Sequence, residues 1–194
     1  MSTVKRRCLW AGDNPIYVDY HDTEWGTPVH DDARHFEFLV LEAAQAGLSW
    51  LTVLKKRDAY RAAYRGFDPA RVARFGARDV EGLLGDAGII RNRLKISSSI
   101  ANARRFLDVQ KEFGSFDAYL WGWTGRKPVL NRWKEQSEVP PRSELSDAIS
   151  RDLKARGFSF VGSTIVYSHL QAVGVVNDHL LSCFRRARPR AVRD

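Results

Sequence analysis

Two cysteines and two histidines stand near opposite ends of a 194-residue chain. Cys8 and His21 are separated by twelve residues near the N-terminus, and His179 and Cys183 lie four apart near the C-terminus. In a segment that reads as helix, a four-residue spacing puts two side chains on one face about a turn apart, which suits two ligands of one ion. Two thiolates and two imidazoles complete a tetrahedral shell, leave a zinc site neutral and leave no open position for catalytic water. Spacing alone leaves other readings open, because nothing local forces the two pairs to meet. Cys8 and Cys183 also suit ordinary buried thiols, with His21 and His179 in the core or on the surface. A Cys8–Cys183 disulfide is a third reading, disfavoured in a reducing compartment.

Glu42 is the second residue whose type and place point to chemistry. The stretch 32–46 (DARHFEFLVLEAAQA) is apolar on most sides and reads as a largely buried helix. Glu42 sits inside it, with Gln45 three residues on and on the same face. A buried carboxylate costs several kcal/mol unless it is paired or hydrogen-bonded. A salt bridge to one of the 31 Lys and Arg residues is the plain explanation. A pocket carboxylate that accepts hydrogen bonds from a polar or cationic ligand is the functional one. The helix runs into a tight turn through Gly47, carrying Leu48 and Trp50. Tryptophan stacks well on a nucleobase, and an apolar side chain on a turn can wedge into a base stack. Trp50 equally suits a core position at the start of an amphipathic helix.

A third constellation spans residues 83–95 (LLGDAGIIRNRLK), which reads as helix, short glycine-containing turn and helix. The second helix begins with free backbone N–H groups and the positive end of its dipole, flanked by Arg91, Arg93 and Lys95. Such a start clamps phosphate without reading bases. An ordinary helical hairpin with a solvated basic face has the same pattern. Neither a Walker loop nor a Rossmann fingerprint is present, so no nucleotide cofactor is expected.

The elements that must position these groups are helical. Besides 32–46, Ser49 can cap a helix over 50–64 closed by Gly66, Asp68–Pro69 can start a short one, and 77–87 forms another. A longer helix runs from about Arg91 to Gly114. Residues 125–143, with three of the seven prolines, read as an irregular connection. Ser143 or Ser146 can cap a helix ending at Arg156–Gly157, and helices are expected over 163–173 and from Asp178. No useful strand alternation and no repeat appear, so the expected class is all-α. A content of 44% hydrophobic and 28% charged residues is that of a globular protein. The net charge of +8 calls for a polyanionic partner such as nucleic acid, or for a solvated basic surface. No apolar run suits a membrane span and no secretory leader opens the chain, so a cytoplasmic protein without a membrane partner is expected.

Six stretches resemble the 3-methyladenine DNA glycosylase I family: Arg7–Trp10, Tyr20–Gly26, Leu41–Glu42 with Gln45–Arg57, Asp86–Arg91, Arg156–Phe158 with Phe160–Gly162, and Val176–His179. The similarity spans residues 6–184 in order, within one expected domain over 1–194 whose last ten residues read as a flexible basic tail. The resemblance implies a helix-hairpin-helix DNA glycosylase fold and a monofunctional enzyme of base-excision repair. Such an enzyme flips 3-methyladenine out of alkylated double-stranded DNA and hydrolyses its N-glycosidic bond, working as a monomer.

It also implies that Cys8, His21, His179 and Cys183 hold one structural zinc. Tyr20, Glu42 and Trp50 match the base pocket, with Trp10 and Trp25 as walls and Glu42 as the candidate catalytic group. Leu48, beside Gly47, matches the turn that fills the gap left by the flipped nucleotide; Gly88, Ile90 and Arg91 fall in the matching hairpin, and Arg93 and Lys95 join them as expected contacts to the DNA backbone. Ala44 stands where the family pattern leads us to expect a glutamine, and Asn92, Leu94 and residues 125–143 depart from it. The competing readings are a damaged-DNA binding protein using the same pocket without catalysis, a glycosylase of broader alkyl-purine scope, and a zinc hydrolase, against which a closed four-ligand site counts.

Overall fold

The computed structural model describes residues 5–186, and ten helices carry most of it. Helix α1 (Pro15–Thr23) starts on a proline, with the Asn14 side chain accepting from the Ile16 N–H. Helix α2 (Asp32–Gln45) is the centre of the molecule: ten of its residues are buried, and α3, α7, α8 and α10 pack around it. Asp32, in its first turn, accepts from the Phe116 and Asp117 backbone N–H groups and from Gln110 Nε2, so α2 also caps α8.

The expected helix over 50–64 is divided into α3 (Trp50–Leu54) and α4 (Arg57–Ala63), with a break at Lys55–Lys56. Ser49 caps α3 through the Thr52 N–H, and Asp68 caps α5 (Pro69–Val72) through the Ala70 and Arg71 N–H groups, as their sequence positions lead one to expect. Helices α6 (Ala77–Gly85) and α7 (Arg93–Phe113) flank the turn over 86–92. Two helices with weak sequence signals complete the set, α1 and α8 (Phe116–Gly122). The latter is short and owes its place to buried Phe116, Tyr119, Leu120 and Trp121.

Residues 125–143 are largely irregular, but they contribute β1 (Val129–Leu130), which pairs in parallel with β2 (Val176–Asn177). This two-residue ladder is the only sheet among the described residues. Helices α9 (Glu144–Ala155) and α10 (Ser163–Ala172) pack as a pair, with α10 against α2. The helix expected from Asp178 does not form; residues 178–180 are irregular and 181–186 make turns and a bend instead. There the Asp178, His179 and Cys183 side chains are committed to partners in other elements, and tertiary demands override local helix preference. The basic tail expected over 185–194 lies, beyond Arg186, outside the described residues.

Gly174 lets the chain leave α10 and turn toward β2. Its φ is +72°, and a Cβ there would stand 2.4 Å from the carbonyl carbon of Thr27 and 2.5 Å from the Pro28 nitrogen. Both backbone strain and overlap with main chain oppose any side chain. Gly174→Ala is expected to cost about 3 kcal/mol or more, lowering Tm by roughly 6–12 °C in a chain of this size. Thermal unfolding measures it directly, and a change below 2 °C (about half a kcal/mol) would show the approach to be looser than drawn.

Candidate functional site: an aromatic pocket around a buried carboxylate

The two buried glutamates of α2 have opposite surroundings. Glu37 is met by three guanidinium groups: Arg34, Arg57 Nε at 2.8 Å and Arg61 Nη2 at 2.9 Å. Arg57 also holds both oxygens of Glu24, at 2.7 and 2.8 Å, and Arg34 reaches Glu24 at 2.6 Å. Although burial opposes charge on Glu37 and Glu24, these guanidinium groups hold both carboxyls below the usual range. Glu42, one and a half turns further along, is 4% exposed and has no hydrogen bond or ion pair among the described residues. Burial with no compensating charge pushes its pKa up to about 8. The salt-bridge explanation thus fits Glu37 and fails for Glu42.

Glu42 faces a cavity of about 260 Å³. Trp10, Tyr20, Trp25, Gln45 and Trp50, all read as pocket positions or neighbours from the sequence, line it with Glu42. Their rings are in edge and tilted contact: Trp10–Trp25 at 5.0 Å, Tyr20–Trp50 at 5.6 Å and Trp10–Tyr20 at 6.2 Å between centroids. Tyr20 is almost fully buried, and desolvation, then the nearby Glu42 and Glu24 charges, raise its pKa well above normal. It therefore stays a neutral hydroxyl able to donate. The indole N–H groups of Trp10 and Trp50 are buried and have no partner among the described residues.

Several lining residues escaped the sequence reading. Tyr17 contributes a wall while its hydroxyl accepts from the Leu51 N–H at 3.0 Å, steadying the start of α3. Gln136, Val139, Pro140 and Pro141 come from the irregular connection. Thr164, Ser168 and Gln171 come from α10. The last three recur at i, i+4 and i+7 along one face of α10, a polar stripe that could have revealed them. A second hollow of about 280 Å³ shares Glu42, Gln45, Thr164 and Ser168 with the first, so the pocket continues as a groove toward Gly47 and Leu48.

Gly47 has φ +77°, and it hands α2 to a turn on which Leu48 is 42% exposed. The turn is fastened from the hairpin side: Lys95 Nζ donates to the Ala44 and Ala46 carbonyls at 2.8 and 2.6 Å. The sequence places Lys95 on phosphate, but its ammonium caps the C-terminal end of α2 instead, where the helix dipole favours it. Arg91 and Arg93 are exposed, with Arg93 bonded to Glu81, and Ile90 is half-buried with its N–H on the Tyr60 hydroxyl. Gly88 passes so close to Ala59 that a Cβ would lie 2.8 Å from that methyl. Asn92 caps α7 by accepting from the Lys95 N–H, so one of the amides read as free is already used.

Behind the aromatic wall, Cys8, His21, His179 and Cys183 converge, although the last pair sits on turns and not on a helix. Their donor atoms all lie within 4.8 Å of one another, and all four residues are buried. Three S···N separations are 3.6, 3.4 and 3.5 Å. Adjoining sulfur and nitrogen ligands of a tetrahedral site stand about 3.5 Å apart, given metal–ligand lengths near 2.3 and 2.0 Å. Asp22 lies 2.8 Å from His21 Nδ1 and the Trp25 carbonyl 3.0 Å from His179 Nε2, which assigns the protons to those nitrogens and leaves His21 Nε2 and His179 Nδ1 as lone-pair donors inside the cluster. Arg7 in turn braces Asp22 at 2.8 Å. The Cys8 thiol, His179 and His21 hold Cys183 far below the usual thiol pKa. The cluster can therefore hold one metal ion with its outer partners in place.

Residues 10–186 match the family model described as methyladenine glycosylase. The chain belongs to this family. It is 48% identical to DNA-3-methyladenine glycosylase 1 of Escherichia coli over 177 residues, 91% of this chain and 95% of the relative. A crystal structure of a 3-methyladenine DNA glycosylase I superposes with a TM-score of 0.90 at 46% identity, covering 93% of this chain and 99% of the other. The Staphylococcus aureus 3-methyladenine DNA glycosylase I, studied for its recognition of 3-methyladenine, gives 0.91 at 35% identity, over 94% and 97% of the two chains.

The Glu42 pocket has a thermodynamic signature. A carboxyl whose folded pKa lies above its unfolded value costs nothing below about pH 4.5, and the cost grows until it saturates near pH 8. Glu42→Gln should therefore stabilise the empty protein by about 3 kcal/mol at pH 7, with the gain vanishing toward pH 4.5. Tm of both proteins across pH 4.5–8 tests this (the unfolded and folded values above); a pH-independent difference would mean that Glu42 is paired after all.

Proposed function

We propose that this protein is a DNA-3-methyladenine glycosylase, and the unpartnered Glu42 carboxyl in an aromatic pocket is the observation that carries the reading. A purine methylated at N3 is cationic while attached to deoxyribose, so it brings the counter-charge that burial withholds from Glu42. A neutral base brings none and leaves the desolvation of the carboxylate uncompensated. Trp50 and Trp10 offer faces to a flat cation, and Tyr20 offers a donor to an edge nitrogen. Glu42 accepts from the exocyclic amino group.

For the base to reach this pocket it must leave the duplex. Leu48, exposed on the Gly47 turn, is the wedge that fills the vacated space, and the hollow running from Glu42 to Leu48 gives the extruded nucleotide its path. The α6–turn–α7 unit acts as a helix-hairpin-helix element, with Gly88 and Ile90 shaping the turn and Arg91 and Arg93 meeting phosphate. Lys95 serves this interface indirectly, by fixing the end of α2 and hence the wedge. At the reaction step the glycosidic electron pair returns to the ring and discharges its positive charge. Water adds to C1′ and loses a proton, leaving an abasic site, and the cationic leaving group makes a strong external catalyst unnecessary. Such an enzyme suits the cytoplasm and acts as a monomer on alkylated duplex DNA.

Cys8, His21, His179 and Cys183 would hold a zinc ion, whose contribution is to cross-link the two ends of the chain. Its four positions are filled by protein, so no step of the reaction passes through it.

Incubating the protein with methylated duplex DNA and identifying the released bases tests the function. Release of 3-methyladenine by the native protein, reduced about 10²-fold or more in Glu42→Gln without loss of Tm, is expected. Tight binding of methylated DNA without release would instead make this a binding protein. For the metal, one equivalent of zinc per chain is expected. Its removal should lower Tm by about 10 °C or more while the folded fraction excises at an unchanged rate. A fully stable metal-free protein would contradict the assignment.

A further inference from the structure

Asp178 is 1% exposed, and its carboxylate receives four neutral donors and, among the described residues, no cation. Asn131 Nδ2 at 2.7 Å and Trp133 Nε1 at 2.8 Å meet Oδ1. Tyr167 Oη at 2.6 Å and Gln171 Nε2 at 2.7 Å meet Oδ2. Two of these donors, Tyr167 and Gln171, line the cavity of Glu42. The other two anchor the irregular connection that carries Gln136, Val139 and Pro140 to the same cavity. Asp178 Oδ2 accepts from Gln171 Nε2 as it does from Tyr167, so the Gln171 amide is oriented with its NH2 on Asp178. Its carbonyl oxygen Oε1 makes no hydrogen bond among the described residues and is not a sealed atom. The oxygen is therefore an acceptor held for whatever fills the pocket.

Resting on the function proposed above, we infer that Gln171, oriented by Asp178, determines the specificity of the pocket for a purine carrying an amino group at position 6. Glu42 and Gln171 then supply two acceptors to one pocket. An exocyclic amino group has two N–H bonds to satisfy them, whereas a 6-oxo purine presents lone pairs to both and leaves each acceptor opposed. A site built to accept N–H groups rejects the analogue lacking them more strongly than an apolar wall does. Asp178 is the positioning residue in this scheme, since without its charge the Gln171 amide is free to turn over.

The test compares a 6-amino with a 6-oxo base, free 3-methyladenine with free 3-methylhypoxanthine, by quenching of intrinsic tryptophan fluorescence. Gln171→Met keeps the side-chain length and removes the acceptor. It is expected to weaken 3-methyladenine binding about tenfold and to change 3-methylhypoxanthine binding less than twofold. Asp178→Asn is expected to reduce the preference when Gln171 is present and to leave it unchanged in the Gln171→Met background, a coupling that simple destabilisation does not produce. Loss of affinity by the same factor for both bases, or by neither, overturns the inference. Base release from methylated DNA is measured in parallel. Native protein that releases 3-methyladenine while Gln171→Met changes the affinity for both bases by the same factor refutes the Gln171 role alone, and native protein that releases none refutes both.

Discussion

A carboxyl group buried without a counter-charge is among the least favourable arrangements a fold can keep, and Glu42 is in that position. Its helix shows that the alternative was available, because Glu37 lies on the same element with three arginines around it. Much of the structure near Glu42 reads as the means of keeping it unpaired. Aromatic rings occupy the space where a guanidinium would sit, and the Glu24–Glu37 network holds Arg34 and Arg57 on the outer side of α2. The arrangement is unfavourable when empty and favourable with a cation inside, which is the condition for selecting a charged lesion over the great excess of neutral bases.

Such a pocket must not collapse onto its carboxylate, and two devices hold it open. The Cys–His cluster lies directly behind the indole wall: the Trp25 ring stands 4.6 Å from His179, and the Trp25 carbonyl fixes that histidine's tautomer. Joining the chain's ends there also fixes Trp10 and Trp25. One residue before His179, Asp178 ties α10 to the connection over 131–141. The Cys–His cluster and the pocket wall thus share one short stretch of chain, so damage to either is felt in the other.

The sequence was most legible where local rules decide. Asp68 before Pro69, Ser49 before Trp50 and the glycines at 47, 66, 114 and 174 mark element ends that the structure keeps. The four cluster residues come together as the family resemblance implies, although their spacing left that open, and Glu42 shares a cavity with Gln45 and Trp50. What sequence reasoning missed depends on contacts distant in the chain. The segment from Asp178 carries helical spacing, yet its side chains are drawn to Trp133, Trp25 and His21, and turns result. Lys95 looks like a phosphate ligand in isolation, and only the fold brings two carbonyls of α2 to its ammonium. The proline-rich connection has no periodicity to read, so its part in the pocket was invisible.

The ionisation of Glu42 in the empty protein tests this account most directly. Carboxyl-carbon NMR of the native protein, with Glu42→Gln used to assign the resonance, follows it through pH 4–9. The account predicts a midpoint near pH 8, well above that of Glu37, whose carboxyl its arginines hold below the usual range. A Glu42 midpoint near the ordinary value of about 4.3 would mean that the carboxylate already has a partner or ready access to water. It would then contradict the claim that the pocket waits for a cationic base.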